Sequence, residues 1–493
     1  MKNRTIYIVL FTAITLFSGC NFLEERSQSE VIPHSTSDFS ELLLGSGYQP
    51  VTDPLTFLTL MDDDIEFFIE YYPGTTSDYA GSTSAAQYYP YYAWQPYCQD
   101  FDGNNNPINE SPSSTAYYRF YEWIMGCNAV LEYIDEAIGT QQEKDRVKAE
   151  ALANRAFHYF RLVNLYGEPY NHNPNALGVP LKLFSAIIDE FLERATVAEV
   201  YDQVVKDLSE AIRLMEPLPI IRGDFRINLP AMYIILSRVY LYMDNWAGCV
   251  AQATKAFDLG LEYFDMTAYT YVTTLPPTPY LYDNPEVQWV YGGSPYSQRL
   301  TFNPPLNVQA FFTANKVAKT GDSRGVETLQ GGSLPSDRVY FYKYAGTGAL
   351  SQTIRTAEAC LNRAEANVQL NNLAAARADL NNLRRNRIYE NSYAPISESI
   401  TNAELLEAIR HERRLEFFCE HFRWFDLRRY GMPAITHRWK YERGGAVYVY
   451  TLSEKDPMYT LPFPQSLINR NPNLQQNPSG SMKSRESELE SQY

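Results

Sequence analysis

The feature that most constrains this chain is the occurrence of helical periods in pairs. Residues 229–243 and 246–259 carry apolar side chains at three- and four-residue steps and are separated only by Asp244-Asn245; residues 354–370 and 373–387 repeat the arrangement around Asn371-Asn372. Helices joined by so short a turn lie antiparallel. One pair cannot cover its own apolar face, so such units stack on further helices. Residues 117–138 supply one of these, with Tyr117, Tyr121, Ile124, Cys127, Leu131, Ile134 and Ile138 on one face, and residues 145–166 supply another, stopped by Gly167 and Pro169. Thr196-x-x-Glu199 and Thr401-x-x-Glu404 read as capping boxes that open helices over 197–215 and from 402 to about 420.

The pairs are similar to tetratricopeptide units, and they are interrupted by two stretches, 48–116 and 262–350, rich in Pro, Gly, Asn, Thr and Tyr. Both are too long for ordinary connections. The predicted architecture is therefore mostly α, a tetratricopeptide-like helical scaffold carrying two large irregular loop regions. In the first, QYYPYYAWQPYCQD (87–100) holds rings at Tyr88, Tyr89, Tyr91, Tyr92, Trp94 and Tyr97, with prolines at 90 and 96 that are expected to keep it out of a helix. A pyranose has apolar C–H faces and a polar rim, so flat rings with hydrogen-bonding tips suit it. Trp94 leads as a candidate contact, Tyr92 and Tyr97 follow, and the other rings are expected to pack. In the second region, Glu286 to Val290 reads as a core-facing strand, whereas Tyr296, Arg299 and Phe302 beyond Gly292-Gly293 are freer to meet a ligand.

The N-terminus, MKNRTIYIVLFTAITLFSGC, has a basic start (Lys2, Arg4), an apolar run from Ile6 to Phe17 and a cysteine after Ser18-Gly19. It reads as an export signal, too short to span a membrane, and resembles the lipobox of bacterial lipoproteins, with Phe17 where an aliphatic residue is usual. Cys20 is the expected lipid attachment site and residues 20–37 a tether. Without Lys2 and Arg4 the net charge goes from −16 to −18, which disfavours nucleic acid and anionic membrane surfaces. Cys127, Cys249, Cys360 and Cys419 fall in helical patterns that favour buried free thiols, and no disulfide framework or zinc site is expected.

Four further blocks appear in order: EALANRAFHYFRLVNLYGEPY (150–170), NRAEANVQLNNLAAARADLNNLRRNR (362–387), HERRLEFFCEHFRWFDLRRYG (411–431) and LPFPQSLINRNPNLQQNP (461–478). With the lipobox, they make the chain resemble the SusD/RagB family over nearly all its mature length. The resemblance implies a helical scaffold of four tetratricopeptide-like pairs. It also implies a surface-exposed outer-membrane lipoprotein that captures an oligosaccharide, or a peptide in the RagB branch, and caps a TonB-dependent SusC-type transporter without catalysis. Tyr121-x-x-Ile124-x-x-x-Asn128 matches the family's first-helix pattern, but Tyr117 stands where a Trp is common, and it joins the candidate ligand contacts. The implied division is 38–225, 226–350 and 351–493.

Other constellations weigh less. Glu412, Arg413, Glu416, Arg423, Asp426 and Arg428 read as structural ion pairs at helical spacing, and His158 as a packed helix residue. Asp62-Asp63-Asp64-Ile65-Glu66 is the best acidic cluster for a glycosidase, an alternative reading whose bland counterpart is a solvated turn or helix start. Asp100 and Asp102 could offer calcium oxygen ligands, although Gly103 and Glu110 miss the EF-hand positions, and a plain turn is the default. A third reading is a repeat scaffold that binds proteins.

Overall fold

The computed structural model describes residues 33–67, 86–101, 105–107, 116–268, 282, 284–293, 302–303, 308, 314–315, 318–324, 329–331, 339–341, 350–441 and 445–490. Its first helix, α1 (Thr36–Ser46), was not foreseen; Ser35 caps it, its hydroxyl accepting the Asp38 N–H while the Asp38 carboxylate accepts the Ser35 N–H. A four-residue helix, α2 (Tyr89–Tyr92), follows, then α3 (Ala116–Tyr133) and α4 (Gln141–Tyr166). α4 begins four residues before the sequence expectation because Thr140 and Glu143 form a capping box, with Thr140 N–H on the Glu143 carboxylate at 2.7 Å. α5 (Val197–Met215) has the expected bounds, and the Thr196 hydroxyl accepts the Glu199 N–H.

The two helical pairs are α6 (Leu229–Tyr242) with α7 (Trp246–Asp258) and α8 (Thr356–Gln369) with α9 (Leu373–Arg385). In each turn the first residue is left-handed, Asp244 at φ 56° and Asn371 at φ 61°. Asp and Asn tolerate that conformation better than other side chains, which explains the polar dipeptides. The helices pack in succession from α3 through α4, α5, α6, α7 and α8, with α9 and α10 (Asn402–Glu416) closing against α8. α10 stops short of the expected end: Arg355 takes the Glu416 carbonyl at 2.9 Å, Cys419 and His421 turn left-handed at φ 54° and 67°, and the chain restarts as α11 (Phe422–Arg429).

One large core runs through α1 and α3–α7, and a smaller one joins α8, α9 and α10 through Leu361, Leu380, Leu405 and Ile409. Cys98, Cys127, Cys249, Cys360 and Cys419 are buried thiols that form no disulfide. The strands are β1 (Glu66–Phe67), β2 (Val287–Tyr291), β3 (Phe302–Asn303), β4 (Ala314–Asn315), β5 (Thr320–Gly321), β6 (Leu329–Gly331), β7 (Val339–Phe341), β8 (Gln352–Arg355), β9 (Ile435–Lys440), β10 (Val447–Leu452) and β11 (Glu488–Leu489). β2 is buried throughout and pairs antiparallel with β8, so the expected core strand is there. β9, β10 and β11 form a three-stranded antiparallel sheet, and β1 pairs with β3.

The charges of HERRLEFFCEHFRWFDLRRYG do form ion pairs, but mostly between elements rather than along one helix. Glu416 meets Arg324, Arg355 and Arg387, Arg413 meets Asp426 at 2.8 Å, and Arg423 meets Asp63 at 2.6 Å. Arg428 departs from the expectation, since its guanidinium donates to the Asn164 and Gly167 carbonyls.

Candidate functional site

The β9–β10 hairpin has a one-sided face. Alternation puts His437 and Trp439 inward on β9 while Thr436 and Arg438 face water, and the register sets Tyr448 opposite Trp439 and Tyr450 opposite His437. Tyr441 follows at the end of the same row. The segment 88–97 packs on this face, and the imidazole of His437 lies between two rings, Tyr92 at 4.2 Å and Trp94 at 4.1 Å, both nearly parallel to it. Its nitrogens sit 2.7 Å from the Tyr92 carbonyl and 2.8 Å from the Asp62 carbonyl. Burial holds its pKa down to about 4 against the opposing pull of those carbonyls.

This packing corrects the ranking of candidate contacts. Trp94 is 0% exposed, and its indole N–H is used on the Met61 carbonyl at 2.9 Å. Tyr92 is equally buried, and its hydroxyl accepts the Phe67 N–H at 2.8 Å. Neither ring offers a face to a ligand. The segment is not held out from the scaffold either: Pro90 sits in the first turn of α2, where a missing N–H costs nothing, so the proline starts a helix rather than preventing one. Trp94 is left-handed at φ 47°, a conformation a bulky residue keeps only when its burial outweighs the strain. Tyr117 is corrected likewise, buried among Tyr121, Tyr166 and Phe463. Tyr296, Arg299, Cys20, Asp102 and the Phe302 side chain lie outside the described residues.

Other rings around this hairpin do reach the surface. Tyr441 is 43% exposed, Tyr97 and Tyr448 are half-buried, and Tyr448 meets Tyr441 edge to face at 5.1 Å. Beneath them the buried Tyr89 hydroxyl donates to that of Tyr450 at 3.0 Å and accepts from Tyr441 at 3.2 Å and from the Gln95 amide at 3.4 Å. Gln95 also fixes the tail, exchanging two bonds with the Arg485 backbone. Burial raises the phenols of Tyr89, Tyr97 and Tyr441 above their usual range. At neutral pH they are uncharged donors and acceptors, and none is activated as a base. The cluster can hold a polar rim and an apolar face.

Its position follows from β1 and β3. Phe67 on β1 packs against Trp439 at 4.4 Å, and β1 pairs with β3 as Glu66↔Asn303 and Phe67↔Phe302. Residue 67 ends the described stretch before 68–85, and residue 302 follows 294–301. The two loop regions are thus tied to the hairpin at one place. The signal for the tip was in the sequence: WKYERGGAVYVY alternates aromatics on both sides of Gly444-Gly445, the pattern of a hairpin with one aromatic face.

The acidic cluster is neither the solvated turn nor the free carboxylate pair of the sequence readings. Asp63 takes both Arg423 nitrogens and is held low by them against its own burial, while Asp64 takes Arg414 at 2.7 Å. Asp62 is buried, which raises its pKa well above the carboxylate range, and it accepts the Asp64 N–H. The Asp100 carboxylate accepts the Gln465 N–H at 2.9 Å. His158 is packed inside α4, as expected, against the Gly47 carbonyl at 2.8 Å.

Residues 336–479 match the model of the SusD family, and residues 21–241 match a SusD-like model described as starch-binding associating with outer membrane. Among solved structures, a SusD superfamily protein from Bacteroides thetaiotaomicron is 23% identical with a TM-score of 0.68, over 90% of this chain and 100% of that one. A SusD-like carbohydrate binding protein from Bacteroides vulgatus is 21% identical with a TM-score of 0.65, over 90% and 97%. A SusD-like carbohydrate binding protein from Bacteroides fragilis is 17% identical with a TM-score of 0.63, over 90% and 99%. At these identities the likeness is one of fold. No curated protein matches the chain. Among the described residues no helix is long and apolar enough to cross a membrane.

Proposed function

The chain belongs to the SusD/RagB family, and on that premise we propose that it is a nutrient-binding lipoprotein of the outer membrane, anchored through Cys20. It captures an oligosaccharide and delivers it to a TonB-dependent SusC-type transporter, breaking no bond. The observation that carries the ligand half of this reading is the tyrosine surface of Tyr441, Tyr448 and Tyr97, backed by the hydroxyls of Tyr89 and Tyr450 and sited where both loop regions join the hairpin. Tyr296 and Arg299 of the second loop region complete the proposed contacts. The transporter and the anchor come from the family and the N-terminal sequence.

The magnitudes suit a sugar. A ring covering roughly 75 Å² of pyranose face contributes about 2 kcal/mol at about 25 cal/mol per Å². Two such rings give about 4 kcal/mol, near millimolar before ordering costs, so several contacts must act together. The relatives described as carbohydrate binding favour a glycan over a peptide. Calorimetry of the mature protein against glycan and peptide panels, repeated with Tyr441→Ala and Tyr448→Ala, tests the assignment. Binding of a glycan that both variants weaken supports it; glycan binding unchanged in both removes the tyrosine surface from the site. Co-purification of the transporter with the tagged protein tests delivery separately.

A further inference from the structure

At the end of the hairpin away from Tyr441, a cavity of about 460 Å³ opens between the loop 168–177, Arg194, the turn 455–460 and the tail 475–478. Its charged lining is Glu168, His172, Arg194, Lys455 and Asp456. Arg194 donates to four carbonyl oxygens, those of Gly178 at 2.7 Å, Leu177 at 2.6 Å, Tyr166 at 3.0 Å and Gln475 at 3.0 Å. No described carboxylate pairs with it, and burial draws its pKa down to about 10, the mark of a desolvated cation without a counter-charge. A guanidinium has five N–H donors, so one hydrogen on Nη1 is still unspent.

Neither acid of the cavity, Glu168 or Asp456, pairs with Arg194. Asp456 is saturated by Arg485, which reaches both its oxygens at 2.9 Å, and by the Met458 N–H. Glu168 lies 3.8 Å from His172, with both side chains exposed. Lys455 stands at the rim with its side chain 57% exposed, and it meets the still more exposed Glu454 at 3.8 Å, a contact worth little in water. The lining carries two cations, Arg194 and Lys455, and two carboxylates, Glu168 and Asp456, of which Asp456 is already engaged by Arg485.

We propose that this cavity is a second binding site, for an anionic group carried on a sugar, a carboxylate or a sulfate ester, held by the free Nη1 hydrogen of Arg194 and by the Lys455 ammonium. The proposal does not rest on the tyrosine surface and goes beyond it. Calorimetry of the mature protein with trigalacturonate, with its methyl ester and with inorganic sulfate tests it. The acid is expected to bind at least about tenfold more tightly than the ester at low salt. The advantage should shrink as ionic strength rises. Lys455→Gln, at an exposed side chain, and Arg194→Lys, which keeps the charge but loses the fork, should each lower acid affinity by roughly three- to tenfold. Displacement of the acid by sulfate supports the proposal for both anions; preference for the acid over its ester with no displacement by sulfate supports it for carboxylates. Equal binding of acid and ester, no binding of the acid, or an acid preference that survives both substitutions overturns it. In the Tyr441→Ala variant the acid preference should persist, so neutral-glycan binding left unchanged there counts against the tyrosine surface alone.

Discussion

Two tyrosine-rich segments meet in this molecule and are used in opposite ways. Residues 87–100 are dense in rings, yet most of these face inward, Trp94 and Tyr92 closing over His437 and Tyr89 binding the hairpin from below. The hairpin 435–452 carries fewer rings and turns its outermost, Tyr441 and Tyr448, toward water. The difference teaches that ring density marks where aromatic packing occurs, while access to a ligand depends on what is packed on top. A tyrosine serves either end because one edge of it is apolar and the other wet.

The comparison breaks most readily at Trp94. Trp94→Ala removes a fully buried indole, so unfolding free energy should fall by about 3–5 kcal/mol in urea titrations. Glycan affinity of the folded protein should stay within about twofold; a larger loss would return the indole to the binding site. Next comes the pH response of the inner region. His437 has a folded pKa of about 4 against about 6.5 unfolded, so its contribution is complete above pH 6.5 and is lost as pH falls through 4. The shift corresponds to about 3 kcal/mol, and His437→Gln, which cannot titrate, should flatten the fall in stability between pH 6.5 and 4 by that order. His158, whose burial lowers it to about 3, keeps part of the acid sensitivity in the variant.

At the outer segment the effects are smaller and fall on binding. Tyr441→Ala should cost about 2 kcal/mol of glycan affinity, roughly thirtyfold, with a stability change near 0.5 kcal/mol. Comparable losses in both would place Tyr441 with the inner rings. The smallest effect belongs to Tyr441→Phe, which keeps the ring and loses the hydroxyl on Tyr89 and Tyr450; about 0.5 kcal/mol or less is expected in thermal unfolding, with most ligand affinity retained.

The frame was legible because its determinants are local. Capping boxes at Thr196 and Thr401, apolar steps and polar turns at Asp244 and Asn371 act within a few residues of where they are written. The partners of the charged blocks were not legible: Arg423 reaches Asp63 across 360 residues, and nothing within either segment specifies the other. The tip tyrosines are written in the sequence as a hairpin with one aromatic face, but a run of rings does not say which of them will be covered, and it is the denser run at 87–100 that packs inward.

The sequence by itself determined a stacked helical frame, buried thiols, though Cys419 falls in the turn between α10 and α11, and the supply of aromatic rings, since periodicity and capping are properties of neighbouring residues. Only the tertiary structure decided which rings stay wet. That choice rests on the hairpin His437, Trp439 and Tyr450 closing against residues 88–95, and burial is settled by whatever covers a side chain, here a segment more than 300 residues further along the chain.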